Sequence, residues 1–319
     1  MRPFNSDANP RKDLYQEITD KVIEALEKGT AIWRQSWSAK ANQPKAFFPM
    51  NLSTGRYYKG WNHFYLEWLT KLQNFSTPYF LTFKQAQAMG GRIKKGSKGF
   101  QIVKWIQKDD QAKSPNPQPD DPVHSPRRPK LIPARSIVFN ADQTEGIELP
   151  VISGEEPKTA GRMIACEQIV SGMPNPPRIE EGGAGAAYSR TADLIRIPPI
   201  AHFEPTEEYY STLFHEMIHS TGHPNRLARK ELIENDGLAG VNYSKEELTA
   251  EMGAAYLCGV AGIQQKTLEN SAAYIGGWLE ALRNDKTMIL SAAAKAQAAA
   301  DFILNESPEA SETESHHKD

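Results

Sequence analysis

The stretch LFHEMIHSTGH, residues 213–223, contains the pattern His-Glu-x-x-His and governs the interpretation of the whole chain. Residues four apart lie on one face of an α-helix, so His215 and His219 can point their imidazoles at the same ion. Glu216 would then lie within reach of a water in the coordination position that catalytic zinc sites leave open. The apolar neighbours of the motif and the following Gly222 are typical of a buried helix that ends at a glycine. We predict a catalytic zinc site with Glu216 as general base; the alternative is two surface histidines that flank a glutamate.

Such a site needs a third protein ligand, and the sequence offers three candidates. In the segment EELTAE, Glu247 and Glu251 lie one helical turn apart and follow His219 by 28 and 32 residues. This arrangement resembles the glutamate zincins (thermolysin-like enzymes), which implies that Glu247 binds the metal and Glu251 orients a ligand histidine. Alternatively, Glu247 closes a capping box with Ser244, which would leave Glu251 as the ligand. His223 is the third candidate, although the glycine before it would end the helix and favours a structural or substrate-binding role.

The expected cofactor is one divalent metal ion. Two imidazoles and a carboxylate are typical of zinc in zincin-type sites, and the same donor set also suits manganese. The two cysteines, Cys166 and Cys258, do not form a CxxC pair, so a cysteine-based zinc site is not expected.

Composition indicates a soluble cytoplasmic protein without a membrane partner. The chain has 319 residues, of which 39% are hydrophobic and 24% are charged. No apolar run approaches the roughly 18 residues that a membrane-spanning helix needs. The first residues lack the apolar region of a secretory signal, and two cysteines fit a reducing compartment.

The charge is distributed unevenly along the chain. Residues 1–145 contain 23 Lys and Arg against 13 Asp and Glu, whereas residues 146–319 contain 14 against 26. A basic half that is also rich in aromatic residues suggests binding to single-stranded DNA, although unequal charge between two domains is a simpler alternative. The candidate phosphate contacts in GGRIKKGSKG are Arg92, Lys94, Lys95 and Lys98. They could equally form a solvated hairpin tip.

Trp37 and Tyr57 are the candidate stacking platforms for bases. Most of the other aromatic residues of this half are expected to pack in the core, and Tyr58, Trp61, Tyr65 and Trp68 follow helical spacing. The glycine-rich stretch does not form a P-loop because the required Lys-Ser/Thr order is reversed, so no nucleotide triphosphate is expected.

The pattern of elements predicts an α+β protein of two domains. The first, residues 8–145, would bind DNA and contain a flexible Pro-rich loop at 109–130, followed by a strand near 136–149 that pairs back onto the same domain. A linker at 146–160 would lead to a mostly helical zincin-like domain at 161–305. The acidic tail, 306–319, is expected to be disordered.

Several stretches together resemble the ArdC antirestriction proteins of conjugative plasmids, which are related to the N-terminal region of TraC primases. In chain order they are ITDKVIEALEKGTAIWRQSW, NLSTGRYYKGWN, TFKQAQAMGGRIKKGSKG, SIVFNADQTEG, YYSTLFHEMIHSTGHPNRL and YSKEELTAEMGAAYL. The resemblance implies an N-terminal domain that binds single-stranded DNA and a C-terminal metallopeptidase domain with an unknown protein substrate. It also implies protection of incoming plasmid DNA from host restriction.

Two other functions remain possible from the sequence. The protein could be a DNA-binding module whose metal site is structural, or a metalloprotease that uses DNA as a scaffold to reach its targets.

Overall fold

The computed structural model describes residues 13–33, 48–108, 130–150, 159–234, 240–263 and 271–306. Their helices are α1 (Leu14–Glu27), α2 (Trp61–Leu72), α3 (Phe83–Ala88), α4 (Thr159–Gly172), α5 (Glu207–Thr221), α6 (Lys230–Ile233), α7 (Val241–Ala261), α8 (Ser271–Asn284) and α9 (Met288–Ile303). Their strands are β1 (Met50–Asn51), β2 (Tyr79–Leu81), β3 (Arg92–Ile93), β4 (Phe100–Lys108), β5 (Lys130–Asn140), β6 (Thr144–Glu145), β7 (Arg178–Glu181), β8 (Ala187–Ser189) and β9 (Leu194–Ile197).

Four sequence predictions fall outside these residues. They concern Trp37, the Pro-rich loop at 109–129, the central part of the linker at 151–158, and the tail at 307–319.

The N-terminal part combines α1–α3 with a four-stranded sheet of order β1-β2-β5-β4. Strand β5 pairs with both β2 and β4 in antiparallel orientation, so the predicted return of the chain onto this part is confirmed. The predicted bounds of 136–149 are wrong, because the strand begins at Lys130 and ends at Asn140. A separate two-stranded sheet joins β3 to β6. Glycine is required at Gly91 because a Cβ there would lie 2.7 Å from the carbonyl oxygen of Glu145.

Helix α1 follows the amphipathic pattern that its sequence predicts. Leu14, Ile18, Val22 and Leu26 recur at helical spacing, and all four are buried. The Asp13 carboxylate accepts a hydrogen bond from the amide of Tyr15 at 3.0 Å, which satisfies a donor at the exposed helix start.

The C-terminal part is mostly helical, with a small sheet of order β7-β9-β8. Strands β8 and β9 form an antiparallel pair. Strand β7, parallel to β9, was not predicted because its sequence, RIEE, shows neither a hydrophobic run nor alternation. Helices α5, α7 and α9 pack against one another, and α7 is buried on every side from Glu246 to Ala261. The α+β fold class is therefore confirmed.

The two parts share one hydrophobic core, which extends from Leu14 in α1 to Ile303 in α9. The indole rings of Trp33 and Trp278 meet edge to face with centroids 5.4 Å apart. Within the described residues, none of the helices combines the length and apolar character that a membrane crossing requires.

Candidate metal centre

Helix α5 carries the His-Glu-x-x-His motif on a face that is almost closed to solvent. Its first turn contains Glu207 and Glu208, whose charge stabilises the positive end of the helix dipole. The helix ends at Thr221 with Gly222 as its C-cap, as the sequence predicts. His215, Glu216 and His219 are each at most 9% exposed, so none of them is an ordinary surface side chain.

The two histidines and Glu247 converge on one point. The Nε2 atoms of His215 and His219 are 3.1 Å apart. From α7, Glu247 places one carboxylate oxygen 3.4 Å from Nε2 of His215 and the other 3.4 Å from Nε2 of His219. Three ligand atoms, two nitrogens and one oxygen, thus lie within 4.8 Å of one another. This donor set and spacing fit a divalent cation.

The two other candidates for the third ligand lie elsewhere. An oxygen of Glu251 is 3.9 Å from Nδ1 of His215, on the side of the ring that faces away from Glu247. This is the position of an acid that orients a ligand histidine. His223 lies beyond the end of α5, where its Nδ1 accepts a hydrogen bond from the amide of Asn225 at 3.2 Å. The geometry therefore favours Glu247.

The alternative of a capping box at Ser244 is wrong. Helix α7 begins at Val241 with Gly240 as its N-cap, so Ser244 lies inside the helix. Glu247 is consequently in the second turn, too far from the helix start to bond the cap residue.

Glu246 was not anticipated from the sequence. One oxygen of its carboxylate is 3.2 Å from Nδ1 of His219. Arg229 donates from Nε to the second oxygen at 2.9 Å and from Nη2 to the first at 2.5 Å. Burial raises the pKa of Glu246, but the charge and hydrogen bonds of Arg229 outweigh it and hold the pKa at about 2.

Arg229 also fixes the end of the metal-site helix. It donates hydrogen bonds to Thr221 Oγ1 at 2.5 Å and to the carbonyl oxygen of Ile218 at 2.7 Å. No sequence signal marks Arg229, because it precedes a helix of only four residues and reaches its partners through the fold.

The pKa values of the three converging side chains show a field that attracts cations. Burial lowers the pKa of His219, but the charges of Glu247 and Glu246 dominate and raise it well above the usual value. The pKa of His215 is raised in the same way, mainly by Glu247. Burial raises the pKa of Glu247, yet the two histidines hold it far below its usual range. A field that holds protons on these imidazoles also favours a metal ion in their place.

Strand β8, at the edge of its sheet, holds Glu216. The amide of Tyr188 donates a hydrogen bond of 2.7 Å to Oε2 of Glu216. The Tyr188 hydroxyl donates to Asp193 at 2.8 Å and accepts from Arg226 at 3.2 Å. Arg226 also donates to the carbonyl oxygen of Ser220 in α5 at 2.7 Å, which ties the β8–β9 hairpin to the metal-site helix. Tyr188 and Arg226 are further site residues that the sequence did not indicate.

The predicted phosphate contacts of the N-terminal part are exposed, but two of them have internal partners. Arg92 donates from Nε to Glu145 at 2.7 Å, and Lys94 donates from Nζ to the carbonyl oxygen of Asp142 at 2.7 Å. Lys95 and Lys98 are exposed as well.

The described aromatic residues follow the prediction at the positions that it names, but Phe83 and Trp105 are also exposed, at 52% and 38%. Tyr57 is 37% exposed, whereas Tyr58 and Trp61 are buried. Trp68 packs against the core.

Comparisons with known proteins agree with both parts of the chain. Residues 12–133 match the N-terminal domain of anti-restriction factor ArdC, and residues 167–295 match a zincin-like metallopeptidase family. Two solved structures of the antirestriction ArdC protein from plasmid R388 are similar. The metal-free one has a TM-score of 0.67 and 33% identity, covering 91% of this chain and 96% of that chain. The Mn(II)-bound one has a TM-score of 0.68 and 32% identity, covering 92% and 97%.

Curated relatives extend the similarity. A DNA primase TraC of Escherichia coli is 34% identical over 308 residues, 93% of this chain, and the chain spans only 27% of the length of that primase. The uncharacterized protein y4eC of Sinorhizobium fredii is 30% identical over 306 residues, 95% of each chain. Similarity over the whole length of y4eC and R388 ArdC, together with both family matches, shows that this chain belongs to the ArdC antirestriction family.

Proposed function

We propose that this protein is a plasmid-type antirestriction factor that binds single-stranded DNA and carries a metal-dependent peptidase centre. The convergence of His215, His219 and Glu247 beside a fixed Glu216 is the observation that supports the peptidase centre. The family supports the antirestriction role, and the basic, aromatic N-terminal part supports DNA binding.

His215, His219 and Glu247 would hold one divalent metal ion. Bound there, zinc or manganese would supply a Lewis acid that polarises a carbonyl and lowers the pKa of water. Manganese is bound in the similar R388 structure, whereas zinc is common with this donor set.

Glu216 is the proposed general base. Its Oε2 accepts a hydrogen bond from the amide of Tyr188, which holds the carboxylate next to strand β8. A base fixed in this way can take a proton from water and return it to the leaving amine without first reorganising. Glu246 keeps the proton of His219 on Nδ1, so that Nε2 can serve as a ligand.

The proposed DNA contacts are the exposed lysines and arginine of the turn after α3, with Trp37 and Tyr57 as stacking platforms. We expect Lys95 and Lys98 to contribute more than Arg92 and Lys94, since the latter two already have internal partners. A basic surface of this kind fits direct strand binding in the bacterial cytoplasm and not mimicry of DNA by negative charge.

A Glu216→Gln variant tests the catalytic half of the proposal. The amide keeps the shape of the side chain but cannot take a proton, so peptidase activity should fall by at least about 100-fold while the metal content stays at one ion per chain. Glu207→Gln, in the first turn of the same helix, is the matched control and should behave as wild type.

Protection of plasmid DNA from restriction should be measured with the same two variants. Loss of protection in Glu216→Gln alone supports a proteolytic role. Full protection by Glu216→Gln would contradict that role and leave a DNA-binding module with a non-proteolytic metal site.

A further inference from the structure

Strands β4 and β5 form a ribbon that is longer than the core beneath it. They pair continuously from Phe100 opposite Val138 to Lys108 opposite Lys130. At the inner end, Ile102 and Val138 are buried, as is Val103. We call residues 104–106 and 131–133 the outer ribbon.

The outer ribbon exposes apolar side chains on both of its faces. Trp105 is 38% exposed, Ile106 is 39% exposed and Leu131 is 44% exposed. Successive residues of a strand point to opposite faces, so the indole of Trp105 and the side chain of Ile106 lie on different sides. By the register, Trp105 and Leu131 are diagonal neighbours on one face. Exposed apolar groups at this density are typical of a contact surface.

The charge of the ribbon is of one sign. The two strands contain Lys104, Lys108, Lys130 and Arg135 and no acidic residue. Arg135 is paired with Glu17 of α1 at 3.1 Å, next to the core. Arg92, in contrast, has an acidic partner, Glu145 of the neighbouring strand β6.

These properties specify one class of occupant. A flat indole and branched apolar side chains can stack on nucleobases, and lysines in the same strands can follow the phosphates. The faces of the bases are accessible in a single strand but are stacked inside a duplex. A protein partner of ordinary charge would not require a surface free of acidic residues.

We propose that the outer ribbon is the stacking surface for single-stranded DNA, with Trp105 as its principal contact. This inference rests on the proposed function and moves the centre of base contact from Trp37 and Tyr57 to β4 and β5. The DNA lies along β4, the edge strand of its sheet, with its bases against Trp105 and Leu131 on one face. Lys104 leaves the opposite face and meets the phosphates where the DNA passes around that edge.

The test measures the affinity of the full-length protein for a fluorescent oligothymidine of about 20 nucleotides and for a duplex of equal length. Trp105→Ala should weaken binding of the single strand by about 5- to 150-fold, the effect of removing one stacked base. Trp105→Phe should retain most of the affinity. Ile164→Ala removes an apolar side chain that is 59% exposed on α4 of the acidic half and should leave affinity unchanged. All variants should melt at the wild-type temperature, since these positions are exposed.

The outcomes separate this inference from the function on which it rests. Wild-type binding together with unchanged affinity in Trp105→Ala would overturn the ribbon as the contact surface while leaving DNA binding intact. Absence of single-strand binding by the wild type would overturn the proposed DNA binding itself. A wild-type dimer that dissociates in Trp105→Ala, with unchanged DNA affinity, would identify the ribbon as an interface between copies of this chain and would also overturn the inference.

Discussion

Glu246 and His219 are joined across two helices, with Oε1 of the glutamate 3.2 Å from Nδ1 of the imidazole. Nε2 of the same ring faces Glu247, the next residue along α7. Two consecutive glutamates, Glu246 and Glu247, therefore face the two ring nitrogens of His219. Arg229 holds the first glutamate in place, so the orientation of the ring depends on a residue that does not itself contact the ring.

Replacing Glu246 by Ala should weaken metal binding by roughly 10- to 100-fold, the usual cost of losing a carboxylate that orients a ligand histidine. Competition with a chelator, for zinc and for manganese, measures the effect. Glu246→Gln should lose less metal affinity, because its amide oxygen can still accept a hydrogen bond from Nδ1–H of His219. Glu234→Ala, at an exposed position, is the control. Wild-type affinity in Glu246→Ala would show that the ring is held by other contacts.

Three single variants should rank the candidates for the third ligand. Glu247→Ala should abolish stoichiometric metal binding, since it removes the only one of the three side chains that contacts both Nε2 atoms. Glu251→Ala should weaken binding by roughly 10- to 100-fold through the orientation of His215. His223→Ala should bind metal as wild type does, because its ring bonds the following loop. Metal analysis after dialysis measures all three, and stoichiometric metal in Glu247→Ala would contradict the assignment.

Arg226→Lys should slow peptide hydrolysis without removing the metal. Arginine donates to Asp193, Tyr188 and the end of α5 at once, which lysine cannot reproduce. The β8–β9 hairpin would shift and weaken the hydrogen bond from the Tyr188 amide to Glu216. We expect kcat to fall by about 10- to 100-fold as a result. Unchanged kcat with a lowered melting temperature would mean that the hairpin only stabilises the fold.

The free energy of unfolding should fall as the pH rises, because the buried carboxyl of Glu67 then loses its proton. Burial raises the pKa of this carboxyl to about 8, and the charge of Lys71 opposes the shift only in part. One of its oxygens is buried without a hydrogen-bond partner. The folded state binds this proton more tightly than the unfolded chain does. Its stabilising contribution is therefore complete below the unfolded pKa and is lost as the pH rises through about 8.

Glu67→Gln should remove this decline, because the amide stays neutral at every pH. Between about pH 5 and 8 the free energy of unfolding of the wild type should fall relative to the variant, by at most about 1.4 kcal/mol per pH unit. Urea titrations at a series of pH values measure the difference, with the exposed Glu24→Gln as control. If the free energies of unfolding of the wild type and Glu67→Gln change in parallel with pH, the raised pKa of Glu67 is refuted.

The affinity for single-stranded DNA should fall steeply with salt. Each phosphate contact on a single strand contributes about −0.7 to the slope of log affinity against log salt. Lys95→Ala and Lys98→Ala should each reduce the slope by about that amount, whereas Arg92→Ala should change it less, because Glu145 neutralises this side chain. If all three variants have the same slope as the wild type, the phosphate contacts lie elsewhere.

The sequence by itself determined the features that depend on neighbours within a few turns. The spacing of His215 and His219 fixed a shared helix face, and Gly222 fixed the end of that helix. The apolar period of α1 identified its buried side, and the apolar run after residue 136 identified β5. In each case the deciding interaction is local, since helical and strand periods place these side chains without reference to the rest of the chain.

Only the tertiary structure decided which distant residues complete the site. The sequence left three candidates for the third ligand, and the packing of α7 against α5 brings Glu247 within 3.4 Å of Nε2 of His215. Ser244 cannot cap α7 because the helix starts at Val241. The contacts of Glu246 with Arg229 and of Tyr188 with Glu216 link residues 17 and 28 positions apart. Such contacts form because a shared core brings helices and strands together and buried charges then need partners, and no short-range pattern encodes which partner the packing supplies.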